Sequence, residues 1–149
     1  MSIEKIKVWK IDPDKKEISL IEINTEYRAS YKDIRKHVNN PVNAATEHSN
    51  GEDNILYINE KGMENAFSHI NLEELSEEEQ KKLEVNGFKW QGNAYIPIII
   101  GTGMIEGIDF IEESIDTTIP YEDMLEFVHF RTFTKEEIDI QLNLKNENK

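Results

Sequence analysis

Carboxylates are the residues of this chain best suited to chemistry, and two adjacent pairs stand out, Glu112-Glu113 and Glu122-Asp123. Neighbouring acids can divide into a proton donor and an acceptor when burial raises the pKa of one member. Nothing in the flanking sequence signals such burial, so solvated pairs are expected. A second candidate is Gly101-Thr102-Gly103, directly after the apolar run Ile98-Ile99-Ile100. Dinucleotide sites place a glycine-rich turn there, where backbone approaches a pyrophosphate and then opens a helix. The third glycine of that pattern should fall at position 106, which is Glu106; Gly107 comes one residue late. Glu106 and Asp109 would oppose phosphates, so the expectation is a bulge or a tight crossing of the chain. The four histidines, His37, His48, His69 and His129, have no partner histidine at i+2, i+3 or i+4. No metal-binding helix or hairpin is indicated, and no cofactor is implied. The absence of cysteine excludes disulfides, thiolate zinc sites and a cysteine nucleophile. Neither G-x-S-x-G nor a P-loop is present, and no catalytic signature rises above background.

The charges carry more information than these motifs. Thirty acids stand against 17 bases, a net charge of −13. Residues 1–70 and 127–149 are close to balanced. Residues 71–126 hold 14 acids and only Lys81, Lys82 and Lys89, a net of −11. A field of that sign repels nucleic acid and anionic membranes and attracts basic surfaces. Glu77, Glu78, Glu112, Glu113, Glu122 and Asp123 are therefore the candidate partner-binding acids, expected to share one outward face. A nucleic-acid mimic, with carboxylates standing where phosphates would be, is one form this could take. The compact basic cluster is Arg28, Lys32, Arg35 and Lys36. Four charges without a series of stacking aromatics make a weak nucleic-acid footprint, and pairing with Glu26 and Asp33 is the simpler account. A small anionic ligand, bound or hydrolysed, is the alternative; there the cluster would converge with Gly101, Thr102 and Gly103 on a phosphorylated molecule or nucleotide.

These residues need elements to hold them. Ile6 and Val8 alternate with lysines as in a half-exposed strand, and Asp12-Pro13-Asp14-Lys15-Lys16 is turn chemistry leading to a second strand at 18–23. Ser30 looks like the N-cap of a short helix with Tyr31, Ile34 and Val38 on one stripe, ended by Asn39-Asn40-Pro41. Residues 41–53 lack large side chains and read as a long loop. Asn54 to Asn59 reads as a strand, and Met63 to Ile70 as a short helical piece. Ser76 and Glu79 form a capping box, with Gly87 as the expected left-handed end of that helix. Phe88-Lys89-Trp90 and Ala94-Tyr95-Ile96 flank a hairpin turn at Gln91-Gly92-Asn93. Pro97 implies a bulge or an unpaired N–H in the second arm. Pro120 can open a short helix with Met124 and Leu125 on one face. Ile138, Ile140, Leu142 and Leu144 alternate with polar residues as in a strand, although Thr134 and Glu137 are spaced as a helical capping box.

Tyr57-Ile58-Asn59-Glu60-Lys61-Gly62, Ile98 to Gly107, and Thr134 to Ile138 (TKEEI) together resemble an uncharacterised family of small phage, plasmid and integrative-element proteins. The resemblance spans roughly residues 5–140 and departs from the family at 39–53 and 63–86. It implies a mobile-element accessory protein, one that would act against host defence, and a helix rather than a strand at the C-terminal segment. It carries no catalytic residues to transfer.

The fold expected is a single α+β domain over residues 1–145, mostly antiparallel sheet with two or three short helices, followed by a disordered tail at 146–149. The N-terminal residues Met1 to Asp12 read as neither a signal peptide nor a membrane span, so a cytoplasmic protein of the host cell is expected. The expected role is non-enzymatic binding of a host protein with a basic surface. A homo-oligomeric module is a further alternative.

Overall fold

In the computed structural model, which describes residues 5–24, 29–60, 72–92, 95–109, 113–138 and 140, the first alternating run forms β1 (Lys5–Asp12). It pairs along its full length with β2 (Glu17–Asn24). The turn between them closes as its sequence implies: Asp12 Oδ1 accepts from the amides of Asp14 (3.1 Å) and Lys15 (3.2 Å). Helix α1 (Ala29–His37) follows, starting one residue before the expected Ser30 cap; Ile34 within it and Val38 just beyond it are buried.

The expected loop at 41–53 is instead a hairpin. β3 (Pro41–Ser49) pairs with β4 (Glu52–Asn59) through the two-residue turn Asn50-Gly51. Both turn residues have positive φ, 52° and 83°, which matches the type I′ geometry that an Asn-Gly pair favours. A 3₁₀ turn at Leu72–Glu74 leads to α2 (Glu77–Lys81), whose capping box is fully formed by Ser76 and Glu79. This helix is shorter than expected. It ends at Lys82, and Gly87 lies inside β5 (Glu84–Gln91) rather than at a helix end. The reason is spatial: a Cβ at Gly87 would run into the backbone carbonyl of Ile99 on the next strand.

β5 pairs with β6 (Tyr95–Ile100), and the register shifts between Phe88 and Trp90, opposite Pro97. The expected bulge is there, on an edge strand that tolerates proline. β7 (Gly103–Ile108) and the short β8 (Ser114–Ile115) follow, then α3 (Tyr121–Phe127) and β9 (Val128–Thr134). Residues 135–138 and 140 are helical, which overturns the strand expectation for that part. Alternation misled because Ile138 is fully buried while Ile140 is 57% exposed; the pattern contributes one anchor, not a buried strand face. Met63 to Ile70, Leu142, Leu144 and the tail at 146–149 lie outside the described residues.

The strands make two antiparallel sheets. One has the order β2-β1-β7-β4-β3 with β8 beside β7, and the other has the order β6-β5-β9. Alternation along each strand divides the core into layers. Trp9, Ile11, Leu56, Ile58 and Ile105 of the first sheet meet Phe88, Trp90, Ile96 and Ile99 of the second. On the far face of the first sheet, Ile6, Val8, Ile23 and Met104 are covered by Ile34 of α1 and by Val38 just after it. On the far face of the second, Phe133 receives Ile138, flanked by Val85, Ile98 and Ile100. This is the α+β, mostly antiparallel single domain that the sequence implied.

Two buried polar links tie the layers together. The Trp90 indole N–H donates to Glu47 Oε1 across the sheets (2.9 Å), and both residues are buried. Gly92 lacks a side chain where a Cβ would strike the Glu47 carboxylate. Asn54, wholly buried, accepts at Oδ1 from the Thr117 hydroxyl (2.9 Å) and the Thr118 amide (3.0 Å). Its Nδ2 donates to Thr118 Oγ1 (2.9 Å), which in turn donates to the Ser49 carbonyl (2.7 Å). Segment 116–120 is thereby fixed to the β3–β4 hairpin and delivers α3.

Candidate binding face and the buried carboxyl

α3 closes a side of the sandwich between the two tryptophans. Met124 is fully buried, Phe127 packs on Trp90 (ring centroids 5.3 Å apart) and Tyr121 on Trp9 (5.7 Å). The Trp9 indole N–H donates to the Ile119 carbonyl just before the helix (2.8 Å). With one stripe so committed, the opposite side of α3 faces solvent. Leu125 there is 52% exposed, and Tyr121, one turn earlier at the border of the two sides, keeps 49% of its surface exposed while its ring rests on Trp9. Glu122 and Glu126 are exposed beside them and Asp123 is half-buried. Leu20, the cross-strand partner of Trp9, adds a third exposed apolar side chain on the neighbouring strand. Expected together on one helical face, Met124 and Leu125 in fact part ways, the first fully buried and the second 52% exposed.

The remaining acids predicted for a binding face sit on other elements. Glu77 and Glu78 are exposed in the first turn of α2, and Glu113 is exposed ahead of β8, where its amide donates to Asp109 Oδ1 (2.9 Å). Glu112 lies outside the described residues. The described ion pairs are Lys36–Asp33 (3.4 Å) and Arg131–Glu137 (3.4 Å), and His48 Nδ1 lies 3.2 Å from Asp53 Oδ1. They use none of Glu77, Glu78, Glu113, Glu122 and Asp123.

Of the basic cluster, Lys32, Arg35 and Lys36 are exposed on α1, and Arg28 lies outside the described residues. Lys36 pairs with Asp33, as the local-pairing account implied. The Asn24 amide donates to Asp33 Oδ2 (2.8 Å), and that bond, with Lys36, holds the Asp33 carboxyl below the usual range. Gly101, with φ of 92°, and Thr102 form the link by which the chain leaves one sheet for the other; Gly103 opens β7. No helix starts there, so the dinucleotide geometry is absent and the tight-crossing expectation holds. Gly103 is packed against Phe88, where a Cβ would lie 3.0 Å from the ring.

Among the histidines, His37 is pushed toward its neutral form by burial and by Lys10. His129 donates from Nε2 to the Glu126 carbonyl (2.8 Å), and His69 lies outside the described residues. Among the described residues, no three His, Asp or Glu side chains are arranged to hold a metal ion, and no helix is long and apolar enough to cross a membrane.

Sequence reasoning singled out Glu106 only as a misplaced glycine. It is 4% exposed in the middle of β7. Its Oε1 accepts from the hydroxyls of Tyr57 and Ser114, both at 3.2 Å, whereas Oε2 is buried with no hydrogen-bond partner. Burial pushes the Glu106 pKa up, against the pull of the two hydroxyls. Burial and the nearby carboxyl push the Tyr57 hydroxyl well above its ordinary value. A carboxyl so placed favours its neutral form. The available signal was its alternation with Met104 on a strand that is apolar on both faces. Those neighbours make residue 106 an inward position.

No family model, curated protein or solved structure matches the chain.

Proposed function

We propose that the protein is a binding protein that occupies a basic surface of a host protein through the outward side of α3. The observation that carries this is the exposed Leu125 beside the half-exposed Tyr121, whose ring is backed by Trp9, both bordered by Glu122, Asp123 and Glu126 on a helix anchored in the core through Met124 and Phe127. A tyrosine anchor inside a polar, solvent-accessible rim is a common composition of binding hot spots. The net −11 of residues 71–126 supplies a long-range field to steer a cationic partner. The resemblance of residues 57–62 and 98–107 to mobile-element proteins supports an accessory role in a phage or related element. The test is affinity capture from host lysate with wild type beside the Tyr121→Ala/Leu125→Ala double variant. The reading expects one basic protein to be retained by wild type and lost with the variant, whose far-UV spectrum stays native. Equal recovery by both contradicts it.

A further inference from the structure

The outer face of the second sheet carries a different kind of site. A cavity of about 240 Å³ opens between that face and the helical residues 135–138 and 140, lined by Lys89, Ile98, Arg131, Phe133, Glu137 and Ile140. Three of these side chains are apolar and two are cationic. Lys89 and Arg131 are diagonal neighbours across β5 and β9, since Lys89 faces His129 and Gly87 faces Arg131. Long side chains in that relation reach a common point. Gly87, between Val85 and Lys89 on the same face, adds no side chain to fill the space. The lining carries two positive charges and one negative, the reverse of the balance in the stretch around Lys89. Arg131 is held by Glu137 at 3.4 Å through one Nη2–Oε2 contact, which leaves other guanidinium N–H groups to bind an anion.

We infer that this cavity binds a small free aromatic carboxylate, with its ring on Ile98, Phe133 and Ile140 and its carboxylate between Lys89 and Arg131. Volume sets the size. An engineered cavity of roughly 150 Å³ takes benzene, and pockets for drug-sized ligands begin near about 300 Å³. A single ring with a short acidic arm falls between those limits. Charge sets the acid: a neutral ring would leave the Lys89 ammonium and the guanidinium N–H groups of Arg131 that Glu137 does not reach without a ligand acceptor, while a carboxylate gains charge-assisted hydrogen bonds from both. Glu137 competes with the ligand for Arg131 and repels it, so it weakens the site.

Calorimetric titration of the full chain with phenylacetate, and with its uncharged analogue phenylacetamide, tests this. The expected result is saturable phenylacetate binding with Kd on the order of 1 mM or tighter and no binding of phenylacetamide. Lys89→Met should weaken phenylacetate roughly tenfold, and Glu137→Gln should strengthen it roughly fivefold, as the loss and the release of a charged hydrogen bond imply. The strengthening cannot come from a misfolded variant, so it keeps the test decisive if Lys89→Met is unstable. Equal binding of acid and amide would overturn the inference, as would phenylacetate affinity unchanged in Glu137→Gln. Binding of a peptide ending in a free phenylalanine carboxylate, without phenylacetate binding, would also overturn it.

Discussion

Glu106 shows how much one side chain can depend on pH. Its raised pKa in the folded state means that the native protein holds this proton more tightly than the unfolded chain does. The stability it contributes is therefore complete below the unfolded carboxyl pKa and is lost as pH rises through the folded value. Replacing Glu106 by Gln keeps the acceptor for Tyr57 and Ser114 and removes the titration. Thermal melts should show Glu106→Gln gaining stability over wild type as pH rises from about 5 to about 8, the range beyond the usual carboxyl pKa. A constant difference across that range would contradict the assignment. Trp90 offers a second test at this scale. Trp90→Phe keeps most of the ring but takes the indole N–H from the buried Glu47 carboxylate. Chemical denaturation should show a loss of about 1–3 kcal/mol, the cost of leaving a buried acceptor short of a partner.

At the scale of elements, what could be read in the sequence depended on how local the cause was. The Asp12–Lys16 turn, the Ser76–Glu79 capping box and the break opposite Pro97 are set by a few neighbouring residues, and all were legible. β3 was not, because its inward side chains are only Pro41, Ala45 and Glu47 and an edge strand so poor in large residues imitates a loop. The Asn50-Gly51 pair was the signal that could have revealed it. Gly87 carries no local mark either: the carbonyl that forbids a side chain belongs to Ile99, a strand away. Gly87→Val should accordingly destabilise by at least about 2 kcal/mol through overpacking, measured by denaturant midpoint, whereas a helix-ending glycine would show a smaller penalty. The helical residues 135–138 share this non-local origin, since Ile138 gains its place from Phe133 and the β5–β6 arms rather than from its own periodicity. Of the candidate site, Glu122 and Asp123 were legible from charge. Leu125 was not, because the pattern groups it with Met124 and only the packing of α3 on Trp9 and Trp90 leaves it outside, and neither was Tyr121, whose ring rests on Trp9 with half its surface exposed.

For the whole molecule, the two sheets, α1 and the C-terminal helical residues form stacked layers, and α3 fills the side where both tryptophans lie. That position gives α3 rigid support and leaves a mixed acidic and apolar side outward. The charge of −13 then acts at a distance while Tyr121 and Leu125 act in contact, and these two roles separate in kinetics. The most direct measurement is stopped-flow association and dissociation with the partner captured by wild type, at low and high salt. The account predicts that Glu122→Gln/Glu126→Gln slows association and flattens its salt dependence, while Leu125→Ala chiefly speeds dissociation. Association that ignores both salt and the loss of these carboxylates would contradict it.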